Sequence, residues 1–209
     1  MDSKILRSAR FYSHLCNRFL AKRFLCTGKT STIVFIARLM MTLGKSVLIT
    51  SYTHAAVDNI LIKLMELHAS EKCSSTINTD LVRVGLKSAI HPALHRMLAP
   101  ELAGEIDRRE ILRAGSLPQD VTTSKPSISS LHQVISSAKI IGVSALTVPK
   151  SPLLIGQKFD VVIVDEAGQI SQPAIIGALM AADTFVLVGD HEQLPPLVQS
   201  DAAEKAGKR

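Results

Sequence analysis

The stretch DVVIVDEAG at residues 160–168 joins a run of apolar residues to a pair of carboxylates, Asp165 and Glu166. A continuous apolar run of this length predicts a strand buried on both faces, as in a parallel sheet covered by helices. A second run, TFVLV at 184–188, leads into the polar stretch GDHEQLPP at 189–196. Ligands of such sheets bind at the carboxyl ends of the strands, where both polar stretches are expected.

Segments with helical spacing alternate with apolar runs along the rest of the chain. Helices are predicted at 30–43, 54–68 and 127–138, and further strands at 46–52, 81–85 and 139–143. Strand alternating with helix predicts an α/β fold with a doubly wound parallel sheet. Residues 86–126 follow no clear pattern and are predicted to be an insertion with one or two short helices.

Composition excludes several classes of protein. Aromatic residues make up only 4% and Trp is absent, which argues against an aromatic-rich β-sandwich. The three cysteines, Cys16, Cys26 and Cys73, are too widely spaced for a zinc or iron–sulfur site, so no iron–sulfur cluster is expected in this chain. No apolar stretch approaches the roughly 20 residues that span a bilayer, so no membrane partner is expected.

The net charge of +6 lies mostly at the amino-terminal end, where six basic residues accompany a single acidic one in residues 1–25. This charge is therefore weak evidence for nucleic-acid binding by the remainder of the chain. The basic segment is atypical for the fold. A mitochondrial transit peptide, an exposed amphipathic helix and an aberrant start remain open as its interpretation.

The tripeptide Gly28-Lys29-Thr30 directly precedes the first predicted helix. A helix that begins in this way presents free N–H groups and the positive end of its dipole to phosphate oxygens. Lys29 would reach the β- and γ-phosphates of a nucleotide, and the Thr30 hydroxyl would bind Mg²⁺. The tripeptide alone is a weak signal.

Two polar stretches after buried strands complete a possible ATPase site. Asp165 is placed to hold Mg²⁺, and Glu166 to orient the attacking water. Gln193 is placed to contact the γ-phosphate and sense its loss. Each stretch also has a simpler interpretation, namely two solvated carboxylates and a polar loop. The occurrence of all three motifs in this order, each at a predicted strand end, favours the ATPase interpretation.

Four segments together resemble the superfamily 1 helicases that travel 5′ to 3′. They are TGKTSTI (27–33), LITSYTHAAVDNIL (48–61), VDEAGQISQP (164–173) and LVGDHEQLPPLV (187–198). Within that group the chain is most similar to the DNA replication ATP-dependent helicase–nuclease family, with RNA-decay helicases as near neighbours. The resemblance implies a P-loop NTPase fold, with part of the first RecA-like lobe at 26–209 after the basic segment.

The resemblance implies ATP and Mg²⁺ as cofactors, a nuclear location and single-stranded DNA as partner, with RNA possible. The implied nucleotide site consists of Thr27, Gly28, Lys29, Thr30 and Ser31, with Thr30 and Asp165 on the metal and Glu166 and Gln193 in catalysis. Ser51, Thr53 and Asn59 would grip the nucleic-acid backbone. Helix capping and surface solvation are the alternative roles for Thr53 and Asp58, and first-turn packing is favoured for His54.

The chain departs from the family in its phosphate loop, which has Arg23, Leu25 and Cys26 where the family has Gly, Pro and Gly. The preceding stretch at 17–23 carries three charges, which makes the first strand doubtful. The resemblance does not extend to a second helicase lobe or a nuclease domain, so we expect no unwinding and little or no ATP hydrolysis by the chain alone. Three functions stay open: a helicase lobe active within a longer protein, a non-catalytic DNA- or partner-binding product, and a different P-loop NTPase, which residues 189–196 argue against.

Overall fold

The structure, a computed structural model, describes residues 18–22 (backbone only), 28–69, 79–114 and 125–190. Within these residues, six strands form one sheet: β1 (Arg18–Lys22), β2 (Val47–Ser51), β3 (Leu81–Arg83), β4 (Ile140–Ser144), β5 (Phe159–Asp165) and β6 (Ala182–Gly189). Their order is β1-β6-β5-β2-β4-β3, and every neighbouring pair is parallel. The predicted parallel α/β sheet is confirmed.

In the described part of the chain, five α-helices cover the two faces of this sheet: α1 (Lys29–Thr42), α2 (His54–Ala69), α3 (Ala99–Arg113), α4 (Ile128–Ser137) and α5 (Gln172–Leu179). Helices α1 and α2 pack on one face, and α3, α4 and α5 pack on the other. The sheet is therefore doubly wound, as predicted. Within the described residues, no helix has the length and apolar character needed to cross a bilayer.

The central strands are apolar on both faces because each face has its own core. In β2, Val47 and Ile49 pack with α1 and α2, whereas Leu48 packs with the opposite core. All three side chains are fully buried. Successive side chains of a strand point to opposite faces, so a strand between two helical layers needs an unbroken apolar run.

The doubt about the first strand was wrong. Residues 18–22 form β1, which pairs in parallel with β6 from Arg18 opposite Phe185 to Lys22 opposite Gly189. We expected this strand at the centre of the sheet, where charges are costly, but it lies at the outer edge of the described sheet. Charged residues are tolerated, and even common, on edge strands. The divergent loop residues 23–27 lie outside the described part of the chain.

The region predicted as an insertion with short helices contains more structure than expected. Two short 3₁₀ helices, Lys87–Ala89 and Pro92–Met97, precede α3, which runs for 15 residues. Pro100 lies in the first turn of α3, where proline is well tolerated. Few apolar residues line this helix, so its periodicity is weak in the sequence.

The amino ends of β2 and β5 are joined by Asp160, at the end of the sheet opposite to the predicted site. Its carboxylate accepts hydrogen bonds from Lys45 Nζ at 2.9 Å and from the backbone N–H of Ser46 at 2.8 Å. The hydrogen bond from Lys45 is the largest of several contributions that lower the pKa of Asp160 to about 2. These contacts fix the register of the two central strands where they begin.

Candidate functional site

Helix α1 begins at the carboxyl end of the sheet with an amino terminus that no side chain caps. Gly28 precedes the helix at φ 73° and ψ 27°, in the left-handed region that glycine adopts without strain. No side chain caps this terminus, and its first turn contains no acidic residue. Its free N–H groups can therefore bind an anion such as phosphate. Lys29 and Thr30 are partly exposed and Ser31 is exposed in this first turn, whereas Thr27 lies outside the described residues.

Asp165 ends β5 beside this helix terminus and is 7% exposed. Burial raises the pKa of this carboxyl above its usual value, and the positive charge of Lys29 opposes that shift. Lys29 begins α1, which follows β1 in the chain, and Asp165 ends the parallel strand β5, so both residues lie at the carboxyl edge of the sheet. The structure brings together the first two of the three motifs identified in the sequence.

Glu166, the residue after β5, is the one non-glycine residue with positive φ among those that the structure describes. Its φ of 53° and ψ of 36° place it in the left-handed region, which costs a non-glycine residue about 1–2 kcal/mol. Its backbone N–H donates to Asp165 Oδ1 at 2.9 Å. Strain of this kind is concentrated at functional sites. The strained residue therefore lies at the end of β5, directly after Asp165.

The turn after Glu166 touches the end of β6 through two glycines. A Cβ atom on Gly189 would lie 3.0 Å from the backbone nitrogen of Gly168 and 3.4 Å from that of Ala167. A Cβ atom on Gly168 would lie 3.1 Å from the carbonyl oxygen of Asp190. This contact was not identified in the sequence, although a glycine that ends an apolar strand is a signal of close backbone approach. Gln193 lies outside the described residues.

Gly189→Ala is expected to lower the free energy of unfolding by about 1–3 kcal/mol, because the added methyl group would lie within 3.4 Å of backbone nitrogens of Ala167 and Gly168, which cannot move aside as a flexible side chain can. Urea denaturation followed by circular dichroism measures this loss. Gly104→Ala is the matched control: Gly104 lies inside α3, and its nearest neighbour, Arg108 Nη2, is 3.9 Å from the added Cβ. The control should gain about 0.5–1 kcal/mol in stability, since alanine favours a helix interior. Equal effects in the two variants would contradict the close contact.

Ser51 lies beside Asp165 in the sheet and is not on an accessible surface. Its side chain is fully buried, and β2 places Ser51 opposite Asp165 on one side and opposite Ser144 on the other. Within the described chain its hydroxyl has no hydrogen-bond partner. A buried hydroxyl cannot contact a nucleic-acid strand in this conformation, so the predicted role of Ser51 in gripping nucleic acid is not supported by its position.

The other predicted nucleic-acid residues lie around the start of α2. Thr53 is exposed and caps the helix, accepting the Ala56 N–H at 3.2 Å, while Asn59 is exposed on the helix. The alternative that Asp58 is merely solvated at the surface was wrong, because its carboxylate is buried and pairs with Arg83 at 2.7 Å. The sequence offered no direct sign of this pair, because Arg83 stands 25 residues away in a strand of three residues.

The site has the donors that a Mg²⁺–nucleotide complex requires. In the described ranges, no three His, Cys, Asp or Glu side chains are grouped so that they could hold a metal ion. Mg²⁺ bound together with nucleotide phosphates needs only one or two protein ligands. The Asp165 carboxylate offers oxygen atoms at a strand end, and the buried Ser51 hydroxyl, which has no hydrogen-bond partner in the described chain, belongs to the residue opposite it in β2. Asp165 therefore fits the predicted magnesium site, and Thr30, the other predicted metal ligand, is partly exposed in the first turn of α1.

Known protein families match the region of the chain that contains these elements. A model described as an AAA domain matches residues 25–114 and 108–201, which is most of the chain. The chain belongs to this AAA domain family. This chain is 39% identical over 181 residues to the DNA replication ATP-dependent helicase/nuclease DNA2 of Xenopus laevis, and the match covers 87% of this chain and 14% of that protein. It is 36% identical over 182 residues to the DNA2 protein of Saccharomyces cerevisiae, covering 87% of this chain and 10% of that protein.

This chain thus spans only about a seventh or less of the length of these relatives. Among solved structures, a nuclease-deletion mutant of the Type ISP restriction-modification enzyme LlaGI in complex with a DNA substrate mimic matches with a TM-score of 0.42 and 11% identity. The match covers 96% of this chain and 19% of that one. A likeness this weak supports no conclusion about the site.

Proposed function

We propose that this chain is the ATP-binding lobe of an ATP-dependent DNA helicase of the helicase–nuclease family. The observation that supports it is the meeting of the α1 terminus at Gly28–Thr30 with Asp165 and Glu166 at one rim of the sheet. The relatives named as helicase/nucleases share 36–39% of their residues with this chain over the same region. The nucleus is the proposed location, because the relatives are named for DNA replication.

The nucleotide would bind with its phosphates at the start of α1. The N–H groups of the first turn and Lys29 would hold the phosphates, and Thr27, Gly28 and Ser31 would surround them. Thr30 and Asp165 would hold Mg²⁺, which neutralises phosphate charge when it is bound. Glu166 would orient the attacking water, and Gln193 would contact the γ-phosphate. Ser51, which lies opposite Asp165 in the sheet, would be a neighbour of these nucleotide-site residues.

Single-stranded DNA would bind at the start of α2, beside the nucleotide site. Thr53 and Asn59 are exposed there, and the helix terminus has no acidic residue in its first turn. Hydroxyl and amide groups at such a terminus can hold phosphates without reading the base sequence. Unwinding requires two lobes that close on ATP, so we propose that this lobe unwinds DNA only together with a second lobe.

Loss of Mg²⁺-dependent ATP binding in Lys29→Ala is the decisive test of the nucleotide site. Removal of a hydrogen-bonded ammonium group from a phosphate should weaken ATP binding by about 10- to 100-fold. Binding of radiolabelled ATP to the purified 209-residue chain on filters, with and without Mg²⁺, measures the change. Binding is the right measurement, because it does not depend on hydrolysis by an isolated lobe.

The matched control is Lys63→Ala, which removes an exposed lysine from α2 and should leave ATP binding unchanged. Saturable binding by the parent chain that Lys29→Ala alone reduces supports the proposal. A parent chain that binds no ATP at millimolar concentration would favour the alternative of a non-catalytic DNA- or partner-binding product.

A further inference from the structure

Arg83 is the largest fully buried side chain in the described part of the molecule. It ends β3, and its guanidinium lies against the first turns of α2. Its Nε donates to Asp58 Oδ1 at 2.7 Å, and its Nη1 donates to the carbonyl oxygens of Val84 and Gly142 at 2.9 and 3.2 Å. One side chain therefore links α2 to two strands of the sheet.

Asp58 extends this link to the segment after β3. Its second oxygen accepts the backbone N–H of His91 at 2.8 Å. Burial of an ion pair costs desolvation energy that apolar side chains of similar volume would avoid, so overall stability alone does not explain the pair. The consequence specific to this arrangement is a fixed geometry for the first two turns of α2.

The remaining Arg83 nitrogen, Nη2, lies 3.2 Å from Nδ1 of His54, the first residue of α2. A guanidinium group has donors only, so Nδ1 must accept this hydrogen bond. The proton of a neutral imidazole is then on Nε2. His54 is half-buried and directly follows the exposed Thr53, and its Nε2 makes no hydrogen bond to any residue that the structure describes.

We propose that Arg83 is a positioning residue that holds His54 as the Nε2–H tautomer, so that the imidazole donates a hydrogen bond to a backbone phosphate of the single strand at the start of α2. The proposal rests on the proposed function and deepens it. His54 then joins Thr53 as a phosphate ligand rather than serving only as first-turn packing. Asp58 and Arg83 act through His54 and touch no ligand themselves.

Two amide substitutions of His54 separate the two ring nitrogens. A glutamine amide can place its N–H near the position of Nε2, whereas an asparagine amide reaches only the position of Nδ1. We expect His54→Gln to bind a fluorescein-labelled oligo(dT) within about twofold of the parent chain, and His54→Asn to bind about 5- to 10-fold more weakly, which is the loss of one hydrogen bond. Fluorescence anisotropy at one fixed salt concentration measures both.

Nitrogen-15 NMR of the imidazole rings gives a readout that a merely structural role would not change. The parent chain should show His54 with an unprotonated Nδ1 and a protonated Nε2. Arg83→Lys keeps the charge but cannot bridge Asp58 and His54 in the same way. We expect the two ring-nitrogen shifts to converge in this variant, oligo(dT) binding to weaken about 5- to 10-fold, and ATP binding to stay unchanged.

Three results would overturn the proposal: an Nδ1–H tautomer in the parent chain, equal DNA binding by His54→Gln and His54→Asn, or unchanged DNA binding in a folded Arg83→Lys variant. If Arg83→Lys does not fold, the parent tautomer and the amide pair still decide. A parent chain that shows the Nε2–H tautomer but binds no oligo(dT) would refute DNA binding itself, and with it the phosphate ligand assigned to His54. Loss of ATP binding in Lys29→Ala is independent of all these measurements.

Discussion

Asp58→Asn is expected to lower the free energy of unfolding by about 3–5 kcal/mol. The Arg83 side chain that Asp58 pairs with is 0% exposed, and Asp58 itself is 4% exposed. Asparagine has nearly the same shape but no charge, so the guanidinium would remain in the interior without a counter-ion. Removal of one partner of a buried pair is much more costly than the pair is stabilising, because the remaining charge cannot regain water. Urea denaturation followed by circular dichroism measures the loss.

The chain contains a closely matched control for this variant. Lys87 and Glu101 are also 2.7 Å apart, but their side chains are 58% and 42% exposed. Glu101→Gln should cost less than about 1 kcal/mol, since water solvates the lysine that remains and screens the pair. The two substitutions differ in burial and not in distance. A similar loss in both variants would show that the Arg83 side chain is solvated, contrary to the structure.

Gly142→Val should lower the free energy of unfolding by about 3 kcal/mol. Gly142 lies in β4 beneath α2, and a Cβ atom there would be 2.5 Å from Leu61 Cδ1 and 3.0 Å from Val57 Cγ1. Both neighbours are fully buried, so neither can move into solvent. Valine adds two further carbons beyond this Cβ. The helix must shift away from the sheet or the side chains must leave their preferred rotamers.

Denaturation of the Gly142 variant is best compared with that of Gly104→Ala, which adds a methyl group to a glycine in open surroundings. The two substitutions should have opposite signs, a loss for Gly142→Val and a small gain for Gly104→Ala. A Gly142→Val protein as stable as the parent would mean that α2 packs farther from β4 than the structure shows.

Most elements of the fold were predictable because the local pattern and the tertiary environment agree. The run at 160–164 predicted β5, and the spacing of apolar residues at 30–43 predicted α1 within one residue at each end. The misses have physical causes. Helix α3 has a proline in its first turn and few apolar residues, so its pattern is faint. Strand β1 is charged and becomes acceptable only at an edge, a position that depends on β6.

The candidate site was predictable to the extent that its residues stand in short, contiguous motifs. Gly28, Lys29 and Asp165 were identified from motifs at predicted strand and helix ends, and the structure brings them to one rim of the sheet. Ser51 was expected from the family resemblance to grip the nucleic-acid backbone, but it is fully buried. The pattern of a strand does not show which residues at its end are covered by a neighbouring strand and helix. The roles of these residues in binding remain proposals.

The amino-acid sequence determines the alternation of buried strands and amphipathic helices, because each has its own periodicity of apolar residues. That alternation in turn places the phosphate-binding and acidic motifs at the carboxyl ends of the strands. The packed molecule alone reveals the partners of Arg83 and the contact of Gly189 with Gly168. Those contacts join residues distant in the chain, and their energies depend on desolvation and on distances of a few tenths of an ångström, which no local pattern encodes.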